Sequence, residues 1–247
     1  MIYMEIIMYK QLSPTKLIVS NSQEYYRMRT FWSKEPETIA FIMNFMEDGD
    51  TFYDIGACIG QYSLLAAYLY PKSKVYSFEP HINNYKRLIE NIKLNKLDNI
   101  THMCVALSDH NGEEDFCIMQ AETGTTGSQI YHLEASKLKY KIQTITIDKL
   151  VETCDFPSIL KLDVDGTEFD IIKGMEQTLK DPRLKAVIVE FNERTEETIK
   201  LFEHNGFTKN NIFTVYSQMQ KAFIYKHPNG KIELIKKQPN IIFMRKE

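Results

Sequence analysis

Phe52-Tyr53-Asp54-Ile55-Gly56-Ala57-Cys58-Ile59-Gly60 decides how this chain is read. An apolar lead-in, an acid and two glycines four apart run into Tyr62, Leu64, Leu65, Ala66, Ala67 and Leu69. That pattern predicts a buried strand closed by a glycine turn that opens a helix. In a βαβ unit such a turn brings bare backbone close to a ligand and aims helix N–H groups at it, which is how nucleotide cofactors are held. Glycine pairs also serve simply to turn the chain, so this stretch alone leaves both readings open.

Downstream, strand and helix alternate. Residues 74–78 form a second strand closed by Glu79 and Pro80, and Tyr85, Leu88, Ile89 and Ile92 turn one helical face to the core. Residues 99–107, 159–163 and 185–191 read as the third, fourth and fifth strands. Between the last two lies a helix carrying Phe169, Ile172, Met175 and Leu179, and a further helix over about 196–205 stops at Gly206. This order predicts an α/β fold with a doubly wound, mostly parallel sheet and right-handed crossovers. The tail adds antiparallel strands at 213–216, 222–225 and 241–244, with a turn at Pro228-Asn229-Gly230.

Residues 1–50 read as an N-terminal cap, and residues 51–247 as one domain with a hairpin inserted at about 110–157. In the cap, residues 2–8 and 17–19 suit a hairpin, and Pro36 starts a helix bearing Ile39, Phe41, Ile42 and Phe45. Tyr25, Tyr26, Phe31 and Trp32 pack the cap onto the domain, leaving Arg27 and Arg29 solvated or lying over a ligand. The insert pairs strands at 113–119 and 141–147 around a polar loop at 124–128, either as a lid at the carboxyl edge where substrate lids are found or as a solvent-facing hairpin.

The 247 residues suffice for a large core, and 43% hydrophobic with 26% charged residues is ordinary for a soluble protein. A formal charge of -3 and a pI near 6.1 argue against nucleic-acid and anionic-membrane partners. The opening stretch, interrupted by Glu5 and Lys10, is neither a signal peptide nor a spanning segment. Cys58, Cys104, Cys117 and Cys154 lack zinc or redox spacing and read as reduced thiols, so the expected location is cytoplasmic.

Glu79, at the end of the second strand, suits an acid that accepts both ribose hydroxyls of an adenosine cofactor, or one that caps the following helix. A dinucleotide seats its pyrophosphate through three glycines, whereas only Gly56 and Gly60 occur here, behind Asp54. An acid at that point repels pyrophosphate and suits the cationic groups of S-adenosylmethionine. Tyr68 and Lys72 have dehydrogenase spacing, but Pro71 and their place at a helix end spoil the dyad.

On the fourth strand Asp163 and Asp165 share one side, with Lys161 behind them. Acids at the carboxyl end of a parallel strand enter the cleft, where a carboxylate can take the proton of an acceptor hydroxyl during methyl transfer. Glu168 and Glu190 crowd the same end, although Thr167 with Asp170 also resembles a capping box. Glu190 or Asn192 beside these acids would suit a hard cation, but the spacing demands none and no metal is assigned. The histidines are dispersed, with His81 placed to start a helix.

Residues 54–60, Phe78-Glu79-Pro80, residues 106–109, and residues 161–168 with Gly174 downstream resemble the FkbM-type S-adenosylmethionine-dependent methyltransferases over about residues 51–191. Cys58 stands where asparagine is usual and Asp165 where glutamate is. The resemblance implies a class I methyltransferase fold and O-methylation of a small molecule, sugar or glycan precursor, with bacterial capsule or surface-glycan modification as a setting. It implies that Asp54, Gly56 and Gly60 hold the methionine end, Glu79 the ribose, and Ala106 and Leu107 the adenine; Asp163, from its place at the end of the fourth strand, is expected to touch the cofactor or the substrate. Asp163, Asp165 and Glu190 are the catalytic candidates. An NAD-dependent short-chain oxidoreductase and a catalytically inactive cofactor-binding protein are the alternatives.

Overall fold

The computed structural model describes residues 15–118, 120–126, 138–190, 194–209 and 240–246, and the backbone at 4–7, 222–226 and 232–236. The chain opens with strands β1 (Met4–Ile7) and β2 (Lys16–Val19) and helices α1 (Ser22–Lys34) and α2 (Pro36–Phe45). Then follow β3 (Thr51–Ile55), α3 (Gln61–Leu69), β4 (Lys74–Phe78), α4 (Ile82–Asn95) and β5 (Ile100–Met103). An insert of β6 (Ala106–Leu107), β7 (Gly112–Ile118) and β8 (Leu138–Ile145) leads to α5 (Ile147–Leu150). The chain resumes with β9 (Ile159–Leu162), α6 (Glu168–Lys173), α7 (Glu176–Lys180), β10 (Ala186–Val189), α8 (Thr195–His204) and β11 (Phe207–Lys209). Last come β12 (Ala222–Lys226), β13 (Ile232–Lys236) and β14 (Ile241–Arg245).

The main sheet runs β11-β14-β10-β9-β3-β4-β5. Strands β3, β4, β5, β9 and β10 pair in parallel, and β14 pairs antiparallel with both β10 and β11. Strands β3, β9 and β10 are buried at every residue, as parallel strands covered on both faces must be. Successive side chains then serve opposite faces. Phe52, Ile159 and Ile188 join a cluster with Leu64 and Leu65 of α3 and Leu88 of α4, whereas Tyr53, Leu160 and Val189 join Ile172 of α6 and Leu179 of α7. The first cluster also holds Leu17, Phe31, Phe41 and Ile42, so residues 15–46 pack directly on the sheet. At the far edge the Phe202 ring stacks on Phe243, 4.0 Å between centroids.

Several local expectations need correction. The third strand does not run unbroken to Leu107. Its partner β4 ends at Phe78; Glu79 N–H still bonds the Met103 carbonyl at 3.1 Å, but Pro80 has no donor to continue the ladder. Ala106 and Leu107 instead pair with Thr144 and Ile145, giving a small sheet β6-β8-β7. The helix carrying Phe169 to Leu179 is broken at Gly174, whose backbone lies so close to the Ser108 carbonyl that a Cβ would collide with it. Thr167 makes no capping bond to α6, and Asp170 pairs with Lys173 at 2.8 Å, so the capping box is absent.

Helix α1 is an addition. Asn21 accepts from the Glu24 N–H at 2.9 Å, and Glu24 reaches back to the Ser20 N–H at 2.6 Å, a near relative of the capping box. β11 and β13 are likewise additions, and β13 pairs with β12. β1 and β2 form the antiparallel pair expected of the cap. The strand at 213–216, the turn at 228–230, and Asn192 lie outside the described residues. No helix among those described is long and apolar enough to cross a membrane.

Candidate functional site

The registers of four parallel strands align their carboxyl ends. Ile55 sits opposite both Phe78 and Leu162, and Leu162 opposite Val189. The residues that follow, Gly56, Glu79, Asp163 and Glu190, therefore stand in a row on one edge, beside the crevice where the winding reverses between β3 and β9. All four line one cleft.

The glycine turn is shaped by packing. Gly56 has φ +76, and a Cβ there would collide with the Asp163 carbonyl. Gly60 has φ +90 and faces Leu88 of α4 without lining the cleft. Between them Cys58 takes φ +51, a left-handed conformation that asparagine tolerates well and other side chains adopt at a cost. Its N–H donates to Glu79 Oε2 at 2.7 Å, and the His81 N–H donates to Oε1 at 2.8 Å.

Burial pushes the Glu79 carboxyl up to about 7, against the downward pull of those two N–H groups. His81 caps α4, accepting from the Asn84 N–H at 3.3 Å through Nδ1, while Nε2 lies 3.1 Å from the Gln120 carbonyl. That assignment leaves the ring neutral with its proton on Nε2, in keeping with a pKa lowered by burial. His81 thus starts the helix as expected, and does so as a buried cap.

Asp54 is not on the cleft wall. It is fully buried, taking the Ser63 hydroxyl at 2.6 Å and the Lys161 ammonium at 3.1 Å, its register partner on β9. Lys161 also lies 3.5 Å from Asp163 and 5.3 Å from the centre of the Tyr62 ring. Burial alone would lower the pKa of this ammonium, but the charges of Asp54 and Asp163 outweigh it and raise it. The lysine therefore stays charged at the inner wall of the site and neutralises the acid that the sequence placed against the cofactor.

Two extensions open from the cleft. On one side Ala106 and Leu107 join Phe78, Phe116 and Ile171 in an apolar slot bordered by Asp165. On the other, α1 and the start of α3 bound a polar recess that reaches Asp163. Glu190, nearly fully buried, faces the central cleft alone.

The sequence reading left Arg27 either solvated or over a ligand and gave Lys34 no role; both line the cleft and the recess, Lys34 with part of its side chain exposed, while Arg29 lines neither. The sequence reading also missed the roof. Asn84 takes the Gly124 N–H at 2.7 Å and donates to the Thr125 carbonyl at 3.1 Å, and Asn21 donates to the Thr123 carbonyl at 3.1 Å. Thr123 in turn donates to Glu24, which is paired with Arg87 at 2.8 Å. Residues 120–126 are thereby tied to both α1 and α4. Among the described residues no group of three or more His, Cys, Asp or Glu side chains is placed to hold a metal.

Comparisons with known proteins bear on this geometry. Residues 54–209 match the methyltransferase FkbM domain. The hexuronic acid methyltransferase AglP of Haloferax volcanii is 27% identical over 179 residues, covering 72% of this chain and 70% of that protein. In solved structures the chain resembles a precorrin-6y C5,15-methyltransferase from Geobacter metallireducens, with TM-score 0.51 and 13% identity over 87% of this chain and 90% of that one. It also resembles a methyltransferase FkbM from Methylobacillus flagellatus, with TM-score 0.53 and 13% identity over 92% of this chain and 56% of that longer one. The fold is that of the class I methyltransferases, and the chain belongs to the methyltransferase FkbM family.

Proposed function

From that membership we propose that the protein is an S-adenosylmethionine-dependent O-methyltransferase whose acceptor is a hydroxyl of a sugar, a uronic acid residue or a glycan precursor. A methyltransferase family displaces the oxidoreductase alternative. The observation that carries the reading is the row of Gly56, Glu79, Asp163 and Glu190 around one cleft, with an apolar slot on one side and a charged recess on the other.

S-adenosylmethionine has a flat base, a ribose and a zwitterionic tail, and the residues present fit each part. The slot of Phe78, Ala106 and Leu107 suits the adenine. Glu79 holds its carboxylate still through two backbone bonds, with the Asn84 side chain also donating to it, and its oxygens face the ribose hydroxyls as acceptors. Asp163, on the recess side, suits the ammonium group. Gly56 lets the floor lie flat under the whole. Asp54 and Gly60 support that floor from below, which replaces the direct contacts first expected of them.

Bound in this way, the cofactor supplies an electrophilic methyl group. The chain must orient the acceptor and remove its proton. We give that proton to Glu190, which lines the central cleft and is absent from the slot and the recess, because Asp163 already neighbours the Lys161 ammonium and Asp165 is shared between the cleft and the slot. Its carboxylate accepts the hydroxyl hydrogen bond, aligning an oxygen lone pair, and takes the proton as the carbon–oxygen bond forms. Asp165 orients the acceptor from the opposite side.

The glycan class of acceptor is supported by the hexuronic acid relative, and a capsule or surface-glycan precursor made in the cytoplasm is the setting we favour. The test has two arms. S-adenosylhomocysteine should raise the unfolding temperature and NAD should not. Labelled methyl should pass to a component of a sugar-nucleotide and glycan extract in a linkage that resists mild base, as an ether does and an ester does not. Stabilisation by NAD alone would overturn the assignment, and binding without transfer would favour the inactive cofactor-binding alternative.

A further inference from the structure

We propose that Arg27 and Lys34, on helix α1, form the subsite for the α-carboxylate of the cofactor's amino-acid tail, an inference that rests on the cofactor reading above. The two residues are seven apart, about two helical turns, and so lie on one face of α1. Both line the recess and the central cleft. The recess and the apolar slot share Gly56 as their common lining residue. A ligand laid across Gly56 with its base in the slot therefore carries its other end to Arg27 and Lys34.

That end is a zwitterion, and the recess offers both signs, with Arg27, Lys34 and Lys161 as cations and Asp163 and Glu35 as anions. Asp163 offers an anion to the ammonium, while the guanidinium and ammonium of α1 offer cations to the carboxylate. The arginine is also held in place. Its Nε donates to the Gly124 carbonyl at 2.6 Å, and its own carbonyl accepts from Gln61 at 3.0 Å. One donor of five is used by that bond, and the planar fork is left oriented for a carboxylate. Lys34 lies 2.8 Å from Glu35, which also takes the Tyr62 hydroxyl at 2.9 Å, so its ammonium is positioned at the same wall. Helix α1 precedes residues 54–209, the span of the family match, so the matched domain does not itself contain this subsite.

The experiment compares two nucleosides by calorimetry. S-adenosylhomocysteine carries the tail, and 5′-methylthioadenosine is the same thioether without it. Arg27→Gln and Lys34→Gln should each weaken S-adenosylhomocysteine binding about tenfold or more while changing methylthioadenosine binding by less than about twofold. Arg27→Lys should recover part of the loss. Lys34 is partly exposed, so its variant keeps the test valid if Arg27→Gln unfolds.

Equal losses for both nucleosides would overturn the subsite, since the effect would then be on the fold or the base. Unchanged binding of both, with a raised KM for an acidic acceptor, would also overturn it and hand the two cations to the acceptor's carboxylate. Failure of wild-type protein to bind either nucleoside would defeat the cofactor reading itself.

Discussion

Glu79 couples the site to pH. Its carboxyl titrates near 7 in the folded protein because burial penalises the charge, whereas an unfolded glutamate titrates near ~4.3. The folded chain thus holds this proton more tightly. The stability the group contributes is complete below about 4.3 and is lost as pH rises through about 7, at ~1.4 kcal/mol per unit. Denaturant unfolding of Glu79→Gln should therefore fall less steeply with pH across that window than unfolding of wild type. The carboxylate form is the one that accepts two ribose hydroxyls. S-adenosylhomocysteine affinity should rise through the same window in wild type and be weak and flat in Glu79→Gln, as calorimetry at several pH values would show.

Glu190 separates binding from chemistry. Glu190→Gln should lower kcat by about 10²–10⁴-fold with cofactor affinity unchanged. An unaltered kcat would send the proton elsewhere, with Asp165 the next acid to replace.

At the scale of elements, the closeness of β3 to the end of β9 depends on Gly56. Alanine there meets a backbone carbonyl that cannot swing away, in a conformation strained for any side chain. Gly56→Ala should cost about 3 kcal/mol or more in denaturant midpoints. Gly112→Ala is the control, because a Cβ there meets nothing nearer than 3.9 Å, and it should stay within about 0.5 kcal/mol.

The same contrast explains what could be read from residues in order. Strands β3, β4, β9 and β10 announce themselves because burial on both faces writes apolar runs into the chain. Glu79, Asp163 and Glu190 are legible because each directly follows such a run. The break in the helix after Phe169 is not, since its cause is the Ser108 carbonyl, far away in sequence. The burial of Asp54 is illegible for the same reason. Its partner Lys161 meets it only through strand register, although a lysine inside an apolar strand was the available sign. Helix α1 left a sign too, in Asn21 followed by Glu24, and the aromatic cluster around Arg27 left a ligand-facing reading open, but nothing local chose it over solvent or singled out Lys34.

For the whole molecule, the N-terminal helices share one hydrophobic cluster with the sheet, so calorimetric unfolding should show one cooperative transition and no early melting of residues 15–46. Glu24 ties that segment to the roof of the cleft. It is fully buried, paired with Arg87 and accepting from Ser20 and Thr123. Glu24→Ala leaves Arg87 with the exposed Glu90 at 3.3 Å as its remaining acid and should cost about 1–3 kcal/mol. Cofactor affinity should fall with it, because Gly124 in that roof holds Arg27.

Strand β14 comes late in the chain yet sits between β10 and β11, and its Arg245 donates to the carbonyls of Leu179, Asp181, Leu184 and Asn205. During synthesis, every earlier part of the site has left the ribosome before this strand arrives. Until then β10 presents an open edge of unpaired backbone, which invites pairing with other chains. Premature stop codons just before residue 241 should therefore yield insoluble protein, although Gly56, Glu79, Asp163 and Glu190 are all present, as the soluble fraction after expression would show.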